Sequence, residues 1–80
     1  MIALLGNDSY FIKNHNNIKD FLITYATYIN LDTKIFKILV DSNEMSIEEL
    51  IEYINSHCWS FDDKITEIYE TGEKIYGEER

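Results

Sequence analysis

The sequence predicts a small α+β domain: a three-stranded sheet, made of a β-hairpin plus one strand, packed with three helices in the order ββαβαα. Three observations carry this. Two short apolar runs flank Gly-Asn-Asp-Ser at the N-terminus, the apolar period lengthens to that of a helix after Asn17, and two serines farther on each open an apolar stripe.

The hairpin comes first. "MIALL" and "YFIK" lie on either side of Gly6-Asn7-Asp8-Ser9, a turn-forming cluster between β-compatible runs. Strand 1–5 is expected at the centre of the sheet, with the helices on one face. "NHNN" at 14–17 is a polar break in which Asn16 or Asn17 can cap a helix. Ile18, Phe21, Leu22, Tyr25, Ala26, Tyr28 and Ile29 then fall on one arc near 100° per residue, so a helix runs to about Asn30. Ile23, Thr24 and Thr27 are β-branched and weaken its propensity, which leaves tertiary packing to hold it.

"KIFKILVD" at 34–41 is read as the third strand. Phe36, Ile38 and Val40 alternate with Ile35, Lys37 and Leu39, in a run rich in β-branched and aromatic residues. A helix from Asp32 would also align Ile35, Ile38 and Leu39, and the strand is preferred to it. Ser46-Ile47-Glu48-Glu49 is a capping box, followed by Ile47, Leu50, Ile51, Ile54 and Cys58 at helical spacing. Ser60 opens a last helix in the same style. "YETGEK" resembles a hairpin turn, but Phe61, Ile65, Ile68, Tyr69, Gly72, Ile75 and Tyr76 form a helical stripe, and the helix is preferred on that periodicity.

Composition bounds the function. Eighty residues make one domain, 1–80. A chain of this length buries roughly 60% of its unfolded surface, so a partner or a second copy bears on its stability. One cysteine precludes an internal disulfide. No basic leader or long apolar run is present, so the cytosol is the expected compartment and no membrane contact is expected.

Charge is regional. Residues 1–40 carry Asp8, Asp20 and Asp32 against four lysines, a net of +1; residues 41–80 carry twelve acids against Lys64, Lys74 and Arg80, a net of −9. Such a surface repels nucleic acid and favours a basic partner. The acidic half, 41–80, is expected to be helical, with Asp63, Glu67 and Glu70 on one line of its last helix and Glu48 and Glu52 paired on the helix before. Like charges at these spacings weaken a helix by roughly 0.2–0.5 kcal/mol a pair, and a solvated face is the ordinary reason for them. The functional reading is an anionic ridge that docks into a basic groove. Its candidate residues are Glu48, Glu49, Glu52, Asp62, Asp63, Glu67, Glu70 and Glu73, with Tyr53 and Trp59 as aromatic edges beside them. Tyr10 is a third aromatic edge.

Other chemistries find little support. The acids lie on polar faces, where nothing would split their pKa values for acid–base work. "DSNEMSIEEL" lacks the glycine and ligand rhythm of a calcium loop. His57 and Cys58 are adjacent and would point about 100° apart on a helix, which is wrong for a nucleophile and its base. One cysteine and two histidines give no zinc spacing, and Cys58 reads as a small core residue. No catalytic residue, metal or cofactor is therefore expected.

The expectation is a non-enzymatic inhibitor or adaptor that occupies the basic groove of a partner, such as a nucleic-acid-binding nuclease complex. In size and charge the chain is similar to the small acidic anti-defence proteins of phages and mobile elements, the anti-CRISPR and anti-restriction inhibitors, a likeness that extends to no motif. Its Ile-, Asn- and Lys-rich, proline-free composition is what an AT-rich genome encodes. The alternative is an assembly homodimer, joined through helix 17–30 or the helix bearing Gly72, whose acids only solubilise.

Overall fold

The computed structural model describes residues 1–77. The elements are β1 (Ile2–Leu5), β2 (Tyr10–Ile12), α1 (Ile18–Tyr28), α2 (Thr33–Asp41), α3 (Ile47–Ser56), a 3-10 turn (Phe61–Asp63), β3 (Ile65–Glu70) and β4 (Glu73–Tyr76). The four strands form one antiparallel sheet in the order β2-β1-β3-β4. The α+β class and the number of helices agree with the sequence, but one expected helix is a hairpin and the expected third strand is a helix. The strand count and the element order differ accordingly.

The N-terminal hairpin forms as its turn residues dictate. Asp8 takes φ 65°, its amide donates to the Leu5 carbonyl at 3.0 Å, and the Leu5 amide donates to Ser9 at 2.9 Å. β1 lies between β2 and β3. Asn17 caps α1 through its side chain, which accepts from the Lys19 amide at 2.8 Å. Asn30, at φ 61°, ends that helix in a Schellman turn: the Leu31 amide reaches Ala26 and the Asn30 amide reaches Thr27. The capping box at Ser46 and Glu49 is complete in both directions.

Two expectations are corrected. The first concerns 33–40, expected as a strand and found as α2. Asp32 caps it, its side chain accepting from the Lys34 and Ile35 amides. Phe36 and Val40, four residues apart, are buried, whereas Ile35 and Ile38 stay exposed. The sheet takes its other two strands from the C-terminus, and this segment buries Phe36 and Val40 as a helix instead.

The second concerns 61–76, expected as a helix and found as the β3–β4 hairpin. Thr71 (φ 48°) and Gly72 (φ 82°) form the two-residue turn, with Glu70 opposite Glu73. Two register shifts explain the false helical stripe. Leu4 pairs with Glu67 and Leu5 with Ile65, so Thr66 is an extra residue and the buried Ile65 and Ile68 are spaced by three. Ile68 pairs with Tyr76 and Tyr69 with Lys74, so Ile75 is extra in β4. A strand with a bulge repeats every three residues at that point, and a helical stripe reads the same.

One face of the sheet carries Ala3, Leu5, Phe11, Ile65 and Ile68 into the core. The Phe11 ring meets Phe21 and Tyr25 of α1 edge-on, with centroids 5.6 and 4.9 Å apart. Asn55 of α3 bonds to both backbone groups of Ile65. α2 packs on α1 and reaches α3 through Phe36 stacked on Tyr53. Ile2, Tyr10 and Ile12 alternate with the core residues and are exposed on the opposite face of the sheet.

Candidate partner-binding surface

Hairpin geometry disperses the expected ridge. Asp63 closes the 3-10 turn, Glu67 lies in β3, and Glu70 faces Glu73 at the tip of the hairpin, so no single line joins Asp63, Glu67 and Glu70. Glu67 is engaged: its carboxylate accepts from the Tyr69 hydroxyl at 2.8 Å and pairs with Lys74 at 3.3 Å. That bond, ahead of burial and the charge itself, raises the Tyr69 phenol above its ordinary value. Glu49 is committed to the capping box. Asp62 is exposed beside the capping Ser60, whose hydroxyl accepts from the Asp62 amide at 3.1 Å. Glu48 and Glu52 share the exposed side of α3, one turn apart, as the sequence indicated.

In place of a ridge the fold makes a groove. It is open, about 1060 Å³, and lies where the β1–β2 turn, the 3-10 turn and the end of β4 meet the start of α3. Asp8, Glu48 and Glu67 come to it from three different elements, and Phe61, Ile75 and Tyr76 supply apolar surface between them. Gly6 lets the walls approach: its amide donates to the Lys64 carbonyl at 3.0 Å, and a Cβ there would stand 1.9 Å from the Phe61 carbonyl oxygen. Burial first, then the charges of Glu52 and Glu48, push the Tyr76 phenol up.

No family model, curated protein or solved structure matches this chain. The chemistry of the groove therefore rests on its own residues. Three carboxylates, one of them already paired with Lys74, stand around aromatic and aliphatic surface, an arrangement that can offer ion pairs to a cationic head group and apolar contact to its methylene stem. Among the described residues Lys74 is the cation of this groove, and it is paired with Glu67.

The aromatic candidates divide. Tyr53 is half-buried, stacked on Phe36 at 5.8 Å and 4.3 Å from the His57 ring, so it belongs to the packing of α2 on α3. Trp59 is fully exposed, at 100%. Tyr10 is also exposed, on the open sheet face. The sequence reading missed Asp8, Phe61, Ile75 and Tyr76. Asp8 and Phe61 sat in presumed turn and core positions, and only the hairpin brings Ile75 and Tyr76 beside α3.

Cys58 is half-buried and its thiol donates to the Ile54 carbonyl at 3.3 Å. Burial, then the Asp63 charge, pushes that thiol up, against a smaller opposing pull from Lys64. Among the described residues no group of three or more His, Cys, Asp or Glu side chains is arranged to hold a metal, and no helix is long and apolar enough to cross a membrane.

Proposed function

We propose that this protein is a non-enzymatic binding domain that takes a basic segment of a partner protein into the acid-rimmed groove. It would act as an inhibitor when that segment is one its partner uses to hold nucleic acid. The observation that carries the reading is the convergence of Asp8, Glu48 and Glu67 on one groove from a turn, a helix and a strand. The net charge of −8 adds long-range attraction for a basic surface and repels nucleic acid itself. Among partners of this charge, a nuclease complex with an exposed nucleic-acid channel matches the chemistry.

The test is an NMR titration of the protein with an Arg/Lys-rich peptide and with a neutral peptide of equal length, at low and high salt. Amide shifts should gather at Asp8, Glu48, Glu67 and Tyr76 with the basic peptide only, and weaken several-fold with salt. The Glu48→Lys, Glu52→Lys double variant should abolish them with little loss of stability, since both side chains are exposed. Shifts that are absent, or equal for the two peptides, would sink the reading.

Self-assembly is the second reading, and the exposed Ile2, Tyr10 and Ile12 of the open sheet face favour it. α1 directs Phe21, Leu22, Tyr25 and Ala26 into the core and Gly72 lies in a turn, so the dimer surface would be this sheet face and neither of the helices named above. Sedimentation equilibrium decides it: a salt-insensitive dimer that Ile12→Lys dissociates supports assembly.

A further inference from the structure

We infer that a second site, the cleft between the C-terminal ends of α1 and α3, receives an arginine side chain of the partner protein. This rests on the reading that the partner is basic, and names the side chain it presents. The cleft, about 480 Å³, is lined by Tyr28, Asn30, His57, Cys58, Trp59 and Asp63. None of these faces the groove described above.

Two of its lining residues are exposed aromatics. Trp59 is fully exposed and Tyr28 is 63% exposed. The Tyr28 ring is held in place from behind by Phe11 and Tyr25, with centroids 5.1 and 5.9 Å away. Leaving an indole wholly in water forgoes the burial of an aromatic side chain, and Trp is the residue most often found carrying the energy of a binding interface.

The third component is negative potential. Asp63 lines the cleft, and its backbone is fixed there: its carbonyl accepts from the Tyr25 hydroxyl and, at 3.5 Å, from the Cys58 thiol. Both helices also end beside the cleft, and neither has a basic residue in its last turn, so the negative end of each helix dipole adds to the potential there. His57 turns Nδ1 toward the Tyr53 carbonyl, 2.7 Å away.

Two aromatic side chains and a carboxylate in negative potential together select a cation that is flat. A guanidinium can stack on an indole or phenol while its fork of N–H donors meets a carboxylate, and it is more weakly hydrated than an ammonium. A lysine makes the charge contact without the stacking.

Trp59 is the single tryptophan of the chain, so its fluorescence reports on this cleft alone. The experiment titrates the full chain with N-acetyl-arginine amide, N-acetyl-lysine amide and N-acetyl-citrulline amide, the last being the neutral isostere. Arginine should give a saturable change, weaker with lysine and weaker by roughly ten- to a hundredfold with citrulline, the worth of one charge-assisted hydrogen bond. Asp63→Asn should reduce arginine binding by a similar factor with an unchanged melting curve, because the structural bonds of Asp63 are made by its backbone. Tyr28→Ala should weaken it independently of charge.

Equal responses to arginine and citrulline, an Asp63→Asn variant that binds as the wild type does, or no saturable change would each overturn the assignment. The two sites fail separately. If the basic peptide shifts the groove while the arginine amide leaves Trp59 unmoved, this inference falls and the groove stands; the reverse pattern removes the groove and keeps the cleft.

Discussion

Asn55 joins the helical layer to the sheet, and its removal should cost more than any exposed polar residue of this size. Its side-chain amide donates to the Ile65 carbonyl at 2.9 Å and accepts from the Ile65 amide at 2.8 Å. Neither group is served by β4, whose pairing with β3 covers only Ile68–Glu70. Asn55 thus acts as a one-residue strand partner at the bulged start of β3. Asn55→Ala leaves both backbone groups without a partner among the described residues beside the buried Ile65. A buried orphan costs about 1–3 kcal/mol, and partial access of water to this half-buried site sets the pair at about 2–4 kcal/mol. A domain of this size loses about 4–8 °C per kcal/mol, so the melting temperature should fall by roughly 10–25 °C.

Asn55→Asp separates hydrogen bonding from packing. The carboxylate keeps the acceptor for the Ile65 amide but turns a second oxygen toward the Ile65 carbonyl, so the folded state favours the protonated acid and raises its pKa above the ordinary value of about 3.9. A group raised in this way contributes stability that is complete below the unfolded pKa and lost as pH rises through the folded one. Relative to wild type at the same pH, the aspartate variant should be nearly neutral at pH 3 and strongly destabilised at pH 7. Thermal melts by circular dichroism measure both. A fall of less than about 3 °C for Asn55→Ala, below the cost of one orphaned group, would refute the strand-partner role.

Three further perturbations test the fold. Gly6→Ala places a Cβ 1.9 Å from the Phe61 carbonyl oxygen, and should cost about 2–3 kcal/mol in a urea melt as the 3-10 turn is forced away from β1. Thr71→Asn should raise stability by about 1 kcal/mol, because Thr71 holds φ 48° as a β-branched residue at the first position of a two-residue turn that suits Asn-Gly; a melting temperature unchanged or lower would count against that turn. Burial above all, then the charges of Cys58, Asp63 and Tyr28, pushes the Tyr25 phenol far above its ordinary 10.0, and Tyr69 and Tyr76 are raised as well. The fold thus favours the neutral phenols, a stabilisation complete below pH 10 and lost as pH climbs through the raised values. Stability should fall steeply above about pH 10, and Tyr25→Phe should flatten that fall while losing the bond to Asp63.

The groove was legible only in part. Glu48 and Glu52 could be placed on one exposed side of α3 because a capping box fixes where that helix starts, and the phase of every later residue follows. Glu67 could not be placed beside Glu48 by any local rule. The Thr66 hydroxyl reaches the Leu4 carbonyl across 62 residues of chain, and pairing of that range leaves no mark in the spacing of neighbouring residues. The stacking of Tyr53 on Phe36 was hidden for a related reason: it exists only because 33–41 is a helix and not the expected strand. Trp59 was singled out by type, and its complete exposure became visible only with the end of α3 at Ser56.

What the sequence alone determined is everything set within a turn or two of chain. That covers the first hairpin around Gly6–Ser9, the Asn17 cap and the apolar arc of α1, the capping box of α3, and the concentration of acid after residue 40. The tertiary structure decided the two segments whose local signals were balanced. Thr33–Asp41 holds both an alternating run and an Asp32 cap, and it became α2 because Phe36 and Val40 could be buried beside Tyr53 and α1. Phe61–Tyr76 holds both a helical stripe and a Thr-Gly turn, and it became a hairpin because β1 offered an unpaired edge to β3. An open strand edge carries unsatisfied donors and acceptors along its whole length, and satisfying them outweighs the small intrinsic preference of so few residues for either period.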